Sequence, residues 1–161
     1  TGTYAPYWDA LLDVSRTTTD HAVRVLALEM PAYVDPVLGE GYIDDLAQLL
    51  TDAPEREVRE MAAFQLGLTE APDRVLTVFR AAFPREPELC VRWAIVRFAV
   101  RAAGARALPL LDDLARVDPR FAADVADFRR IYATGVHDFE RVWSDKAEHH
   151  ACGADEHPGD S

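Results

Sequence analysis

Apolar residues return every three or four positions along this chain in a series of blocks, and proline or glycine marks most breaks between them. That spacing predicts helices at 6–16, 20–30, 42–51, 55–68, 72–83, 87–103, 107–117, 119–134 and 137–149. Pro6, Pro31, Pro36, Pro54, Pro72, Pro84, Pro87, Pro109 and Pro119 fall at or near helix starts or in connections, where a fixed φ and a missing N–H do least harm. Gly104 and Gly135 stand just past long periodic runs, where a left-handed C-cap is wanted. No run alternates with period two for long enough to form a strand. The pattern predicts an all-α protein.

The helices also repeat. Val23-Arg24, Val58-Arg59 and Val91-Arg92 recur 33–35 residues apart, each opening an apolar helix: VRVLALEM, VREMAAFQLG and VRWAIVRFAV. A shorter helix with leucines or similar bulk precedes each one: ALLDV, DLAQLL and RVLTVF. A weaker fourth unit reads LPLLDDLARV and then PRFAADVADFRRIYATG. A period of this size marks a solenoid, in which a helix pair cannot bury its own apolar face and stacks on its neighbours.

These residues resemble the HEAT-repeat family. The best unit is YIDDLAQLLTDAPEREVREMAAFQLG, with Asp52 ending the first helix, then Val58-Arg59, a small Ala62 and Leu66-Gly67. The resemblance covers about residues 7–135, with the good motif fit across 41–104; the first and fourth repeats depart from it as terminal caps would. It implies a short right-handed HEAT-like α–α superhelix of about four helix pairs plus a C-terminal helix. In that family an aspartate and an arginine form a ladder between repeats, which implies a stitching role for Asp52, Arg59 and Arg92. The domain is expected over 1–150, with 151–161 as a disordered tail. The stretch from VREMAAFQLG to VRWAIVRFAVRAAG is also similar to HEAT-like alkylpurine DNA glycosylases. There the place of the catalytic aspartate reads Asp52-Ala53-Pro54-Glu55, with no flanking tryptophan.

Charge narrows the partners. The 161 residues carry 17 Lys+Arg, of which Lys146 is the only lysine, against 28 Asp+Glu, for a net −11. That balance opposes bulk attraction to nucleic acid or an anionic membrane. Within 41–135 there are 13 arginines against 15 acids, so the repeat body is near neutral and the acidity lies at its two ends. No stretch approaches 18 uninterrupted apolar residues, and Thr1-Gly2-Thr3-Tyr4 lacks the basic and apolar regions of a signal peptide. Cys90 sits in an apolar helical run and Cys152 in a polar tail, which is not the layout of a disulfide framework, and a cytoplasmic setting is expected.

Candidate chemistry comes from the second helix of each pair, which lines the concave side in a HEAT-like array. Indexing from the shared valine at 100° per residue buries Val91, Ala94, Ile95, Phe98 and Ala102, with Val58, Met61, Ala62, Gln65 and Leu66 as their counterparts. The opposite positions are Val25 and Glu29, Glu60 and Phe64, then Trp93 and Arg97, with Arg101 and Asp127 extending the row. Arginine pairs with carboxylate or phosphate and an aromatic ring gives a stacking wall, so Arg97 and Arg101 are candidate anion anchors, Trp93 a platform and Phe64 a further ligand contact. Glu29 and Glu60, facing one another in a partly dry groove, are the candidate general acid and base. The same charges suit an inter-repeat ion-pair network better, and the apolar run WAIVRFAV favours a buried Trp93.

Two segments remain. Residues 30–41 form the longest expected connection, with Tyr33 and Asp35 as weak candidates in a lid or an end cap. The tail holds His149, His150, Cys152 and His157, which suit zinc or copper by type but follow no structural zinc spacing, so no metal is assigned. His21 and His137 open helices and read as surface or capping residues. No phosphate loop, nucleophile elbow, H-E-x-x-H or C-x-x-C occurs, and no cofactor is expected. The sequence therefore favours a binding or adaptor module with a protein or peptide partner. A small cofactor-free acid–base enzyme or small-molecule binder stands as the alternative, and nucleic-acid binding comes third.

Overall fold

A computed structural model of the chain describes residues 5–34, 42–135, 150 and 152, with the backbone alone for 5–8 and 29–34. Its helices are α1 (Ala5–Thr17), α2 (His21–Val34), α3 (Ile43–Asp52), α4 (Arg56–Gly67), α5 (Pro72–Ala82), α6 (Leu89–Ala103), α7 (Leu108–Val117) and α8 (Ala122–Thr134). Single 3₁₀ turns at Phe83–Arg85, Gly104–Ala107 and Pro119–Phe121 join the later ones. Among the described residues there is no strand. Each odd-numbered helix pairs with the even-numbered one after it. The pairs stack, α2 on α4 on α6 in one layer and α3 on α5 on α7 in the other.

The first helix of each pair is amphipathic and turns one stripe inward: Leu46 and Leu50 of α3, Val75 and Phe79 of α5, Leu110, Leu111 and Leu114 of α7. Helix α6 is apolar nearly all round because α4, α5 and the fourth pair enclose it. Val91, Trp93, Ala94, Ile95, Val96, Phe98, Ala99 and Val100 are all buried. Full burial of one such aliphatic or aromatic side chain is worth roughly 1.5–3 kcal/mol, so this helix carries much of the core. The closest backbone approach lies between α4 and α6, where a Cβ on Gly67 would stand 2.8 Å from the Phe98 Cβ. Gly135 (φ +70°, ψ +8°) closes α8 with the left-handed cap that its place in the sequence predicts, whereas Gly104 closes α6 with positive φ (+57°) but ψ −136°, outside the left-handed helical region and still open to glycine alone.

Four expectations change. Helix α2 does not stop at Pro31 but continues to Val34; a proline forfeits its own bond to the preceding turn without forbidding helical φ and ψ after it. The connection expected at 30–41 shortens accordingly, and its residues 35–41, with Asp35, lie outside the described residues, as do the side chain of Tyr33 and the helix expected at 137–149. The last pair enters through the 3₁₀ turn at Pro119–Phe121 before α8 begins. The cysteines are joined: Cys90, in the first turn of α6, is bonded to Cys152, 62 residues away, with Cα atoms 5.4 Å apart. The ground for a cytoplasmic setting, two unpaired cysteines, falls with that bond. Within 151–161, Cys152 is the described residue. Among the described residues no helix is long and apolar enough to cross a membrane.

Candidate functional site on the face of α4 and α6

The repeated Val-Arg step explains most of the charge between repeats. Arg24, Arg59 and Arg92 each lie in the first turns of a second helix and bond carbonyls at the end of their own first helix or the loop after it. Arg24 donates to Ser15 and Thr18, Arg59 to Ala53 and Pro54, and Arg92 to Glu86. Each then reaches a carboxylate of the next repeat: Arg24 to Glu55, Arg59 to Glu86 through two bonds of 2.9 and 3.1 Å, and Arg92 to Asp118 at 2.9 Å. Arg120 closes the last rung from its own turn, and the Arg120 and Arg92 guanidiniums hold Asp118 well below the usual carboxylate range against the opposing effect of burial. Burial pushes Glu55 up more than any single partner pulls it down, but the bond and charge of Arg24, a backbone bond and the charge of His21 together bring the carboxyl below its ordinary value.

Stitching therefore holds for Arg59 and Arg92 and fails for Asp52, which is exposed at the end of α3 while the acids come from Glu55, Glu86 and Asp118. A second, exposed set of pairs crosses the odd-numbered layer: Arg16–Asp45, Arg74–Asp44, Arg80–Asp113 and Arg106–Asp73. Gln65, fully buried, donates 2.7 Å to the Leu28 carbonyl and ties α4 to α2.

The candidate row separates into three. Glu60, Phe64 and Arg97 come together half-buried on adjacent helices. The Arg97 guanidinium lies 4.9 Å from the Phe98 ring centroid and 5.8 Å from that of Trp93, and Phe64 meets Phe98 edge-on at 5.3 Å. Burial raises the Glu60 carboxyl above its ordinary value; burial lowers Arg97, with Glu60 acting in the opposite direction. The Oε1 of Glu60 and the Nε of Arg97 are both shielded from water, and neither has a hydrogen-bond partner. Arg56 Nε stands 3.7 Å from that Glu60 oxygen, an ion pair without a hydrogen bond.

Trp93 is the second case. It is fully buried, stacked on Phe121 at 6.2 Å and Phe128 at 6.5 Å, so it offers no open face and serves as core. Val25 is half-buried in α2, Arg101 is exposed one turn beyond Arg97, and Asp127 bonds Arg130 at 3.0 Å. The third case is Glu29, whose side chain, and with it the carboxylate pair expected with Glu60, lies outside the described residues.

The tail holds what the sequence missed. His150 Nε2 lies 2.7 Å from Asp124 Oδ2, the imidazole 8% and the carboxylate 0% exposed. The ring packs 5.0 Å from Trp93 and 5.1 Å from Phe121. Two of the four supposed metal ligands are thus committed elsewhere, Cys152 to Cys90 and His150 to Asp124. Among the described residues no three His, Cys, Asp or Glu side chains gather as a metal site would require.

The family described as HEAT repeats matches residues 43–126, just over half of the chain. No curated protein and no solved structure matched. The matched span runs from α3 into α8 and contains the two better-formed rungs of the arginine ladder. With the stacked helix pairs already described, that match makes this chain a member of the HEAT-repeat family.

Proposed function

We propose that the chain is a protein-binding module and that the face of α4 and α6 bearing Glu60, Phe64 and Arg97, with Arg56 and Arg101 at its rim, receives an extended peptide segment of a protein partner. HEAT repeats are typically protein-interaction modules, which supports the class of function. The observation that carries the location is the pair of unbonded polar atoms, Glu60 Oε1 and Arg97 Nε, on neighbouring helices. Leaving such groups dry and unmatched costs about 1–3 kcal/mol each, a cost returned as affinity when the two half-buried side chains turn outward to bond a partner. A peptide backbone has the required chemistry, an N–H for the carboxylate and a carbonyl for the guanidinium, and Phe64 supplies an apolar contact beside them.

The experiment is selection of a displayed random peptide library on the chain, followed by affinity measurements on the recovered peptides. Glu60→Gln and Arg97→Gln should each weaken binding about tenfold or more, equivalent to about 1.4 kcal/mol, while circular dichroism stays unchanged. Peptides that bind both variants as tightly as the parent would place the partner elsewhere. The raised Glu60 carboxyl is the one observation that favours the acid–base alternative. A turnover that disappears in Glu60→Gln with ligand affinity retained would decide for it.

A further inference from the structure

The Cys90–Cys152 bond and the seat of His150 form one device. Cys90 and Trp93 are three residues apart in α6 and therefore share a face of the helix. Cys152, tied to Cys90, brings His150 two residues earlier onto the Trp93 ring, where its imidazole meets the Asp124 carboxylate of α8. Trp93 is also packed by Phe121 and Phe128, and the Arg92–Asp118 rung two residues from Cys90 is bonded within the repeats themselves. Both half-cystines are half-buried, within reach of a thiol from solution.

We infer that Cys90–Cys152 is a reducible clasp: a dithiol reductant opens it without unfolding the helical repeats, and opening it unseats His150 from Trp93 and Asp124. In the forward step a thiolate of the reductant attacks one sulfur and breaks the S–S bond. That gives a mixed disulfide and one cysteine thiolate. The second thiol of the reductant displaces the remaining cysteine, leaving the reductant oxidised by two electrons and both cysteines as thiols after uptake of two protons. With the bond closed, a single residue separates His150 from its anchor. With it open, that covalent anchor is gone, and the imidazole's place rests on its own contacts with Asp124, Trp93 and Phe121.

The test uses the full chain, air-oxidised and then exposed to dithiothreitol in native buffer. Thiols are counted by maleimide mass shift, helicity is followed by circular dichroism, and the histidine ring protons by NMR, with His150→Asn assigning its resonance. The expected result is the appearance of two thiols with helicity unchanged. The His150 signal should move from a position displaced by the Trp93 and Phe121 ring currents to that of a free histidine, and Cys90→Ser with Cys152→Ser should reproduce the reduced spectrum. Any of four results overturns the inference: free thiols before reduction, thiols released only after denaturation, loss of helicity on reduction, or a His150 signal that keeps its displaced position once the bond is open.

Discussion

Removing the carboxylate of Glu86 should do disproportionate damage for a single charged residue between two repeats. Arg59 is 8% exposed and Glu86 5%, so the pair is a buried one. Glu86 accepts two bonds from the Arg59 guanidinium and a third, at 2.9 Å, from the Glu88 N–H. In Glu86→Ala the guanidinium keeps only its bonds to the Ala53 and Pro54 carbonyls and stays buried with its charge uncompensated. Stranding one member of a buried ion pair costs about 3–5 kcal/mol. The two lost charge-assisted bonds, at roughly 1.5–3 kcal/mol each, lead to a similar figure by a separate route. The comparison is Asp73→Ala, which breaks a pair whose side chains are 63% and 80% exposed and should cost no more than about 1 kcal/mol. Denaturant unfolding followed by circular dichroism gives both values. The double variant Arg59→Met with Glu86→Leu should cost less than Glu86→Ala alone, because no buried charge is left. A Glu86→Ala loss no larger than that of Asp73→Ala, or a double variant whose cost equals the sum of its singles, would refute the buried-ladder argument.

Other substitutions test other joints. Gly67→Ala forces the α4 backbone away from Phe98 Cβ and should destabilise by about 1–3 kcal/mol, measured as a shift in denaturant midpoint. Asp118 has its folded value well below its ordinary one, so its contribution is complete above about pH 4 and is lost as pH falls further. Asp118→Asn should flatten the acid limb of the stability profile and lower its neutral plateau. Glu60 has the opposite sign: its folded value is raised, so stability falls as pH rises from its ordinary value of 4.5 through the raised one. Glu60→Gln should abolish that fall, and a fall unchanged in the variant would assign it to another group.

Helix positions were legible because each pair buries one stripe at helical spacing, and the Val-Arg step marked every well-formed repeat. The arginine half of the ladder was therefore visible, but its acid half was not. The partners lie 31, 27 and 26 residues downstream, in connections of different length, and a fixed period cannot point to them. Asp52, which fits the family motif by spacing, ends on the exposed side of α3. The row Glu60, Phe64, Arg97 was legible from helical angle alone, since both helices keep the register of their shared valine. Trp93 lies on the same angular track yet is core, because α8 and the tail close over it, and no single-helix projection contains that. Pro31 does not mark a helix end because a proline costs only its own bond to the preceding turn and leaves the residues after it free to stay helical.

Clasp and staple differ in how the bond contributes to stability, and linkage makes that difference measurable. A disulfide stabilises a fold by the same amount that the fold stabilises the disulfide. Closing a loop across a separation of 62 residues in the unfolded chain is worth roughly 4 kcal/mol when the native state holds the cysteines together without help. Such a bond would be about a thousand times harder to reduce in the folded protein than in the unfolded one. If the reduced tail leaves its seat, the folded protein must itself close a tether from Gly135 to Cys152. Only the difference between closing the long loop and the short one then remains, about 1 kcal/mol at roughly 0.6 kcal/mol per doubling of length. The Cys90→Ser and Cys152→Ser double variant should therefore lose about 1 kcal/mol against the oxidised parent in denaturant unfolding, with cooperativity retained. A loss near 4 kcal/mol would mean that His150 and its neighbours stay seated without the bond, and the disulfide would then be a staple of the end cap rather than its release.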